Sequence, residues 1–180
     1  MKQFGYIVLT LSILCLVSPA FAQPGKTSAA SQAEQNKQTV IAMNSLFNEG
    51  RAREAMAYFS DSLQKLGNIN GKSALQAMHD DIQETFPDVQ TTIQDIWADG
   101  DWVIARCSFS GTHKGIAHLP HHGGLLIGKV PTGKHFNVQH IRMYKVVQGR
   151  IVDRKAVRDD MAMYQQLGLI ETPILPGAGR

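Results

Sequence analysis

The spacing of apolar residues changes midway along the chain. Before Pro87 the apolar positions recur every three or four residues, which is typical of helices with one buried face. After Pro87 they alternate with polar positions, which is typical of antiparallel strands with one buried face. Helices followed by strands predict an α+β fold, with the helices packed on one face of a curved antiparallel sheet.

Three helices are predicted in the first half. The first two cover Gln35–Asn48 and Arg51–Phe59. The third runs from Ser73 to about Thr85, because Ser73 and Gln76 have the spacing of a capping box and a proline follows the segment.

Four strands and a closing helix are predicted in the second half. A long connection rich in glycine and histidine, residues 111–133, separates the second strand from the third, and Leu125–Val130 within it is predicted as a further short strand. The main elements are Val89–Trp97, Trp102–Ser110, His135–Val147, Ile151–Val157 and the helix Asp160–Leu167.

The last two strands are predicted to form a hairpin that turns at Gln148-Gly149, since glycine tolerates a positive φ. Pairing Val147 with Arg150 gives each strand two faces, although a one-residue change of register exchanges them. One face then holds His140, Arg142, Tyr144, Val146, Ile151, Asp153 and Lys155, and it lines either a pocket or the solvent. The other holds Ile141, Met143, Lys145, Val152, Arg154 and Ala156.

The N-terminus has the pattern of a secretory signal peptide. Lys2 precedes the apolar run Tyr6–Val17, and Ala20-Phe21-Ala22 fits a small-x-small cleavage site. A membrane anchor is the alternative, but the run is short for a span. We therefore expect residues 1–22 to be removed, a linker at 23–34, one domain at 35–170, a tail at 171–180, and a secreted or periplasmic location.

Charge and cysteine content exclude several classes of protein. The formal charge of +3 falls to +2 when Lys2 is removed, and no block of Lys and Arg stands out, so no nucleic-acid partner is expected. Cys107 is the one cysteine beyond the signal peptide, which excludes an intrachain disulfide. After cleavage, no membrane association is expected.

Six short motifs along the chain resemble the SnoaL-like polyketide cyclase (ester cyclase) family over roughly Gln35–Ile170. The resemblance implies the cone-shaped fold of nuclear transport factor 2. It also implies aldol-type ring closure, or a related lyase or isomerase reaction, on a small carbonyl compound, without a metal or organic cofactor. The motifs are Phe86–Asp88, Gly100–Arg106, Gly111–His113, Pro131–Lys134, Gly149–Asp153 and Arg158–Asp160.

The resemblance also implies the site residues. Asp159 matches the acidic residue at the end of the last strand, Asp153 stands where relatives commonly have Glu, and His113 follows the Gly-Thr of its motif. These three are the expected catalytic residues. The expected ligand-binding residues are Trp97, His140, Arg142, Tyr144 and Lys155.

Two alternatives to these roles remain open. Either Asp159 or Asp160 caps the closing helix, because one of the two immediately precedes it. Lys155 stands where relatives commonly have Trp, and together with Arg142 it would make a cationic patch that favours an anionic ligand. Otherwise these charges pair only with the neighbouring aspartates, as structural salt bridges.

Histidine is concentrated in the second half of the chain, which raises the question of a metal site. The cluster His118-Leu-Pro-His-His122 lies in a loop, lacks the spacing of helical ligands and has no carboxylate near it in sequence. No metal site is therefore expected.

Three functions are compatible with the sequence. The first is a cofactor-independent cyclase or lyase, the second is an exported, non-catalytic binder of a small molecule, and the third is a structural or partner-binding domain. We also expect a homodimer formed through the outer face of the sheet, whose apolar residues would be Ile141, Met143, Val152 and Ala156.

Overall fold

The structure is a computed structural model that describes residues 29–63, 71–120 and 124–171. The predicted signal peptide and nearly all of the predicted tail lie outside these residues. Within the described part of the chain, no helix combines the length and the apolar character that a membrane crossing requires.

The first helices hold the N-terminal half of the core. Helix α1 covers Ala29–Asn48, so it begins before the predicted Gln35 and includes residues expected in the linker. Helix α2 covers only Ala52–Ala55 and continues as a 3-10 turn, Met56–Tyr58, in place of the single longer helix predicted there.

Helix α3 covers Gly71–Thr85 and ends before Pro87, as predicted. Because α3 begins at Gly71, Ser73 lies inside the helix and the predicted capping box is wrong. Gln76 instead donates a hydrogen bond to Asp80 at 2.7 Å, one turn further along.

The second half forms one four-stranded antiparallel sheet in the order β1-β2-β3-β4. Helix α4, Asp160–Leu167, follows the last strand. The sheet and the helices that precede it confirm the predicted α+β fold. Between the second and third strands, the described residues form only an isolated bridge between Ala117 and Ile127, so the short strand predicted there is absent from the described part of the connection. The strands are β1 Gln90–Asp99, β2 Trp102–Thr112, β3 His135–Val147 and β4 Arg150–Arg158.

The hairpin between β3 and β4 turns where the sequence predicts. Gln148 and Gly149 have φ values of 50° and 72°, the left-handed conformation that a two-residue hairpin turn requires. The register beyond the turn differs from the prediction. Val146 pairs with Ile151 as expected, but Lys145 pairs with Asp153, which makes Val152 the extra residue of a β-bulge.

The bulge reverses which β4 residues face the helices. The predicted pairs Tyr144–Asp153, Arg142–Lys155 and His140–Val157 are wrong. Beyond the bulge, the residues on the helix-facing side of β4 are the ones that the sequence had placed outside, because one added residue moves every following side chain to the other face. The observed pairs are Tyr144↔Arg154, Arg142↔Ala156 and His140↔Arg158.

Helix α1 is fastened to the sheet by two asparagines. Asn44 and Asn48 each donate a side-chain hydrogen bond to the carbonyl of Thr91 at 2.9 Å, and Asn48 accepts one from the Thr91 N–H at 2.8 Å. These bonds fix α1 across the start of β1, while apolar side chains from α1, α3 and the inner face of the sheet form one core. The same arrangement leaves a cavity between the helices and the sheet.

Candidate functional site

A cavity of about 240 Å³ lies between α1, α3 and the inner face of the sheet. Its volume is below the several hundred Å³ typical of pockets for drug-sized ligands, so it suits a smaller molecule. Apolar side chains from both layers form much of its wall: Phe47, Met78, Ile82, Val89 and Phe109. The polar lining includes Thr91, His79, His140, Arg142, Arg154 and Arg158.

Arg142, on β3, is buried at 6% exposure, and the described residues give its guanidinium only neutral acceptors. Its Nε donates to Nδ1 of His140 at 3.3 Å. Its terminal nitrogens donate to Oδ1 of Asn44 at 3.4 Å and to Oγ1 of Thr91 at 3.0 Å. The side chain is therefore held in place, but its charge has no carboxylate partner among the described residues.

Arg154 reaches the cavity from β4 because of the bulge. It forms a side-chain hydrogen bond with Tyr144, the residue that it faces across the two strands. Burial, followed by the like charge of Arg142, lowers the pKa of Arg154. An arginine nevertheless stays protonated at neutral pH, so Arg154 adds a second positive charge to the site.

Arg158, also on β4, is the cavity arginine with an acidic partner. Its Nε lies 2.5 Å from Oδ1 of Asp160. The guanidinium carbon lies over the ring of Phe109, 5.2 Å from the ring centroid, which is the geometry of a cation–π contact. The ion pair with Asp160 offsets the charge of Arg158.

His140 is neutral in this setting. Burial is the main cause, and the charges of Arg142 and Arg154 add to it, so the pKa of His140 falls to about 2. Because the Arg142 guanidinium can only donate, Nδ1 of His140 must be the acceptor and the ring proton lies on Nε2. His140 is thus a hydrogen-bond donor rather than a base.

His79 is the second imidazole in the cavity wall. It stacks on Phe47, with ring centroids 3.7 Å apart and an interplanar angle of 14°. This contact joins α3 to α1 along one side of the cavity. The lining contains no Asp, Glu, Lys, Cys or Tyr among the described residues, so His79 and His140 are the side chains in it that can exchange a proton with a ligand.

Comparison with known proteins decides the family. The family model of the SnoaL-like polyketide cyclases matches residues 37–167. This chain belongs to that family. A curated relative, the aklanonic acid methyl ester cyclase DnrD of Streptomyces peucetius, is 32% identical over 69 residues, which are 38% of this chain and 41% of that protein. The match therefore spans about two fifths of the curated relative.

Solved structures show the same fold. TsrD of Streptomyces laurentii aligns with a TM-score of 0.64 and 20% identity, over 76% of this chain and 97% of that one. A SnoaL-like polyketide cyclase of Agrobacterium tumefaciens aligns with a TM-score of 0.61 and 21% identity, over 74% of this chain and 98% of that one. AclR of Streptomyces galilaeus, a proposed hydroxylase, aligns with a TM-score of 0.65 and 19% identity, over 77% of this chain and 98% of that one. These similarities establish the fold but not a reaction, since one fold hosts many chemistries.

The expected site residues of β4 and its end, Asp153, Lys155 and Asp159, do not line the cavity of this SnoaL-like chain. Asp153 and Lys155 lie on the outer face, where their side chains are 3.8 Å apart and 36% and 61% exposed. Asp159 is the N-cap of α4 and accepts a hydrogen bond from Ala162 N–H at 2.9 Å. The capping alternative is the one observed, and the catalytic roles of Asp153 and Asp159 stay predictions without the expected geometry.

The remaining predicted site residues divide between the cavity and other places. His140 and Arg142 line the cavity, and Tyr144 is buried behind it against Arg154. Trp97 is 55% exposed on the outer face. His113 is fully buried elsewhere in the core, where its Nδ1 accepts from the Thr132 N–H at 3.3 Å and burial lowers its pKa.

Sequence reasoning missed the two arginines contributed by β4. Arg154 and Arg158 flank Ala156 at the two-residue spacing of one strand face, a pattern that is visible in the sequence. Only the bulge turns that face toward the cavity. His79 was also missed, although it directly follows Met78, an apolar residue of the predicted third helix.

The histidine-rich connection has a carboxylate neighbour that the sequence spacing conceals. Asp81 and Glu84 of α3 lie beside His118, with potential ligand atoms within 4.8 Å of one another. Both oxygens of Asp81, however, accept backbone hydrogen bonds, from the N–H groups of His118 at 2.9 Å and Leu119 at 3.2 Å. Asp81 therefore anchors this loop to α3.

Proposed function

We propose that this SnoaL-like protein binds a small carbonyl-bearing organic anion in the cavity. The proposal is supported by one observation above all: three arginines line the cavity, and no carboxylate is found among its described lining residues. A buried charge is costly unless a counter-charge and hydrogen bonds satisfy it. An anionic ligand would supply both, since guanidinium and carboxylate groups form paired, charge-assisted hydrogen bonds.

The apolar wall defines the other end of the ligand. Phe47, Met78 and Ile82 offer a surface without hydrogen-bonding groups, which favours a hydrocarbon portion next to the ionised group. The name of the curated relative specifies a methyl ester for that protein. The arginines here favour instead an ionised acid.

Proton abstraction next to a carbonyl is the second candidate function, and family membership favours it. Such chemistry needs a base for the carbon-bound proton and a donor for the enolate oxygen that forms. Arg142 and the Nε2–H group of His140 would serve as donors. His79 would be the base, because the low pKa of His140 makes that ring a poor proton acceptor.

The binding proposal is tested by calorimetry with acetoacetate and its neutral methyl ester. We expect the acid to bind at least about 10-fold more tightly, since a hydrogen bond to a charged group contributes about 1.5–3 kcal/mol. Arg154→Met should reduce the preference, since Arg142 remains, and raise the melting temperature, because it removes a partly buried charge that lacks a carboxylate partner among the described residues. Arg106→Met is the matched control, since Arg106 pairs with Asp95 on the outer face. Equal affinity for acid and ester would contradict the proposal.

The chemical proposal is tested by solvent deuterium exchange. We expect the protein to accelerate deuterium exchange at the carbon between the two carbonyl groups of a β-keto ester or acid, as measured by NMR. His79→Gln should remove this acceleration. His118→Gln, at an exposed histidine outside the cavity, is the control. Exchange that survives in His79→Gln would rule out the assigned base, and no exchange in the parent protein would leave binding as the function.

A further inference from the structure

The cavity arginines surround one small residue. Arg142 pairs directly with Ala156 across β3 and β4, and Arg154 and Arg158 lie two residues to either side of Ala156 on the same strand face. Residues at this spacing are about 6–7 Å apart along a strand. Ala156 is exposed, and it lines the cavity. Its methyl group leaves space between the guanidinium groups for a ligand.

The charges around Ala156 do not cancel within the described residues. Asp160 offsets Arg158. In the described part of the chain, the side-chain partners of Arg142 are an imidazole, an amide and a hydroxyl, and that of Arg154 is the Tyr144 hydroxyl. Two positive charges therefore remain. A ligand with a single negative charge would leave one of them without a counter-charge in a largely apolar cavity.

The hydrogen-bond donors that remain also come in two sets. A guanidinium has five N–H donors. Arg142 uses three of them, which leaves two, the number that the two oxygens of one carboxylate accept. Tyr144 is the side-chain partner of Arg154 among the described residues, so Arg154 retains a separate set of N–H donors. Two separate guanidinium groups, each with free N–H donors, match a ligand with two carboxylates better than a ligand with one compact anionic group.

We propose that the ligand is a short-chain oxo-dicarboxylate that carries two negative charges, one facing Arg142 and the other facing Arg154. This inference rests on the proposed binding of an organic anion and specifies its charge and class. A cavity of about 240 Å³ limits the ligand to a short carbon chain. A phosphate monoester has the same charge in one compact group, so the test includes one.

The first experiment compares ligands that differ only in charge. Calorimetry on the full chain would use 2-oxoglutarate, its monomethyl ester and its dimethyl ester, with glycerol 3-phosphate as the phosphate monoester. We expect each lost charge to weaken binding about 10- to 100-fold. Equal affinity for the dianion and the monoester would overturn the inference while leaving anion binding intact. No binding by any anion would overturn both, and tighter binding of glycerol 3-phosphate would overturn the dicarboxylate assignment.

A second experiment changes the charge at Ala156 itself. Ala156→Asp places a carboxylate between the arginines, whereas Ala156→Asn adds the same volume without charge. We expect the Asp variant to melt at a higher temperature than the Asn variant at neutral pH and to lose its preference for the dianion over the monoester. Val130→Asp and Val130→Asn, at a residue that is 79% exposed and does not line the cavity, should show no such difference. Equal melting temperatures for the two Ala156 variants would overturn the inference.

Discussion

At the scale of single residues, His140 links the cavity to the pH dependence of stability. Its pKa is about 2 in the folded protein, where burial and two arginines oppose a charge on the ring, and near 6.5 when unfolded. Between these values the unfolded chain binds the additional proton. Stability should therefore be unaffected by His140 above about pH 6.5 and fall as the pH drops below it, by up to about 1.4 kcal/mol per pH unit.

Replacing His140 by Gln should remove this dependence. Urea unfolding at pH 7 and pH 5 would show a smaller loss of stability on acidification in His140→Gln than in the parent protein. His135→Gln is a control on the same strand, because His135 is exposed. The same acid sensitivity in parent and variant would mean that His140 is not the titrating group.

Asp159 provides a second test at the residue scale. Because its carboxylate caps α4, Asp159→Ala should cost about 1 kcal/mol of stability, whereas Asp159→Asn should cost less, since Asn also caps helices. Neither change should weaken anion binding, because Asp159 does not line the cavity. Loss of ligand binding or of deuterium exchange in a well-folded Asp159→Asn protein would restore the acid/base role expected from the family resemblance.

At the scale of elements, β3 and β4 differ in how well their sequences predict which face of the sheet each side chain occupies. The common face of His140 and Arg142 could be predicted because β3 alternates strictly, with Val138, Tyr144 and Val146 fixing its buried face, whereas their ligand-binding role stays a prediction. The residues of β4 could be placed only through their pairing with β3. Ile151 and Val152 are consecutive β-branched residues that suit either face, so the sequence contains no clear signal for the bulge.

Deleting Val152 would test this account of the bulge. Without Val152, Lys145 still pairs with Asp153 and Tyr144 with Arg154, so both β4 arginines keep facing the cavity. We expect the deletion to retain anion binding, measured by calorimetry, with only a modest fall in melting temperature. A well-folded deletion protein that has lost anion binding would show that the bulge does more than set the register.

The connection after β2 depends on one helix residue, Asp81. Asp81→Ala would leave the partly buried N–H groups of His118 and Leu119 without their acceptor, which should cost no more than the roughly 1–3 kcal/mol of a fully buried unpaired donor. Asp80→Ala, at the exposed neighbour in the same helix, should cost less. Urea unfolding would measure the free energy of unfolding of both variants. Equal losses of stability in the two would contradict the anchoring role of Asp81.

At the scale of the whole molecule, we propose that the chain is exported and cleaved after Ala22. The proposal follows from the apolar run and the Ala20-Phe21-Ala22 site, both outside the described residues. N-terminal sequencing of protein recovered from outside the cytoplasm should begin at Gln23. A sequence that begins at Met1 would contradict cleavage.

The outer face of the sheet leads to a proposal about assembly. The bulge turns Ala156 inward, so the apolar face consists of other residues than the sequence predicted. Its exposed members are Trp97, Ile104, Ile141 and Val157, with exposures of 55%, 40%, 45% and 68%. The strand register forms two pairs, Trp97 with Ile104 and Ile141 with Val157, and Met143 of β3 lies opposite Ile104. Neighbouring exposed apolar residues commonly mark an interaction site.

We propose that a second copy of the chain covers this face and forms a homodimer. Ile141→Glu should convert the dimer to a monomer in sedimentation, because a charge buried in an apolar interface lacks a partner. Anion binding should persist, since Ile141 faces away from the cavity. Val130→Glu, at a residue that is 79% exposed in the connection before β3, should leave the dimer intact. A parent protein that sediments as a monomer at all concentrations would contradict the proposed dimer, and a dimer that survives Ile141→Glu would place the interface elsewhere.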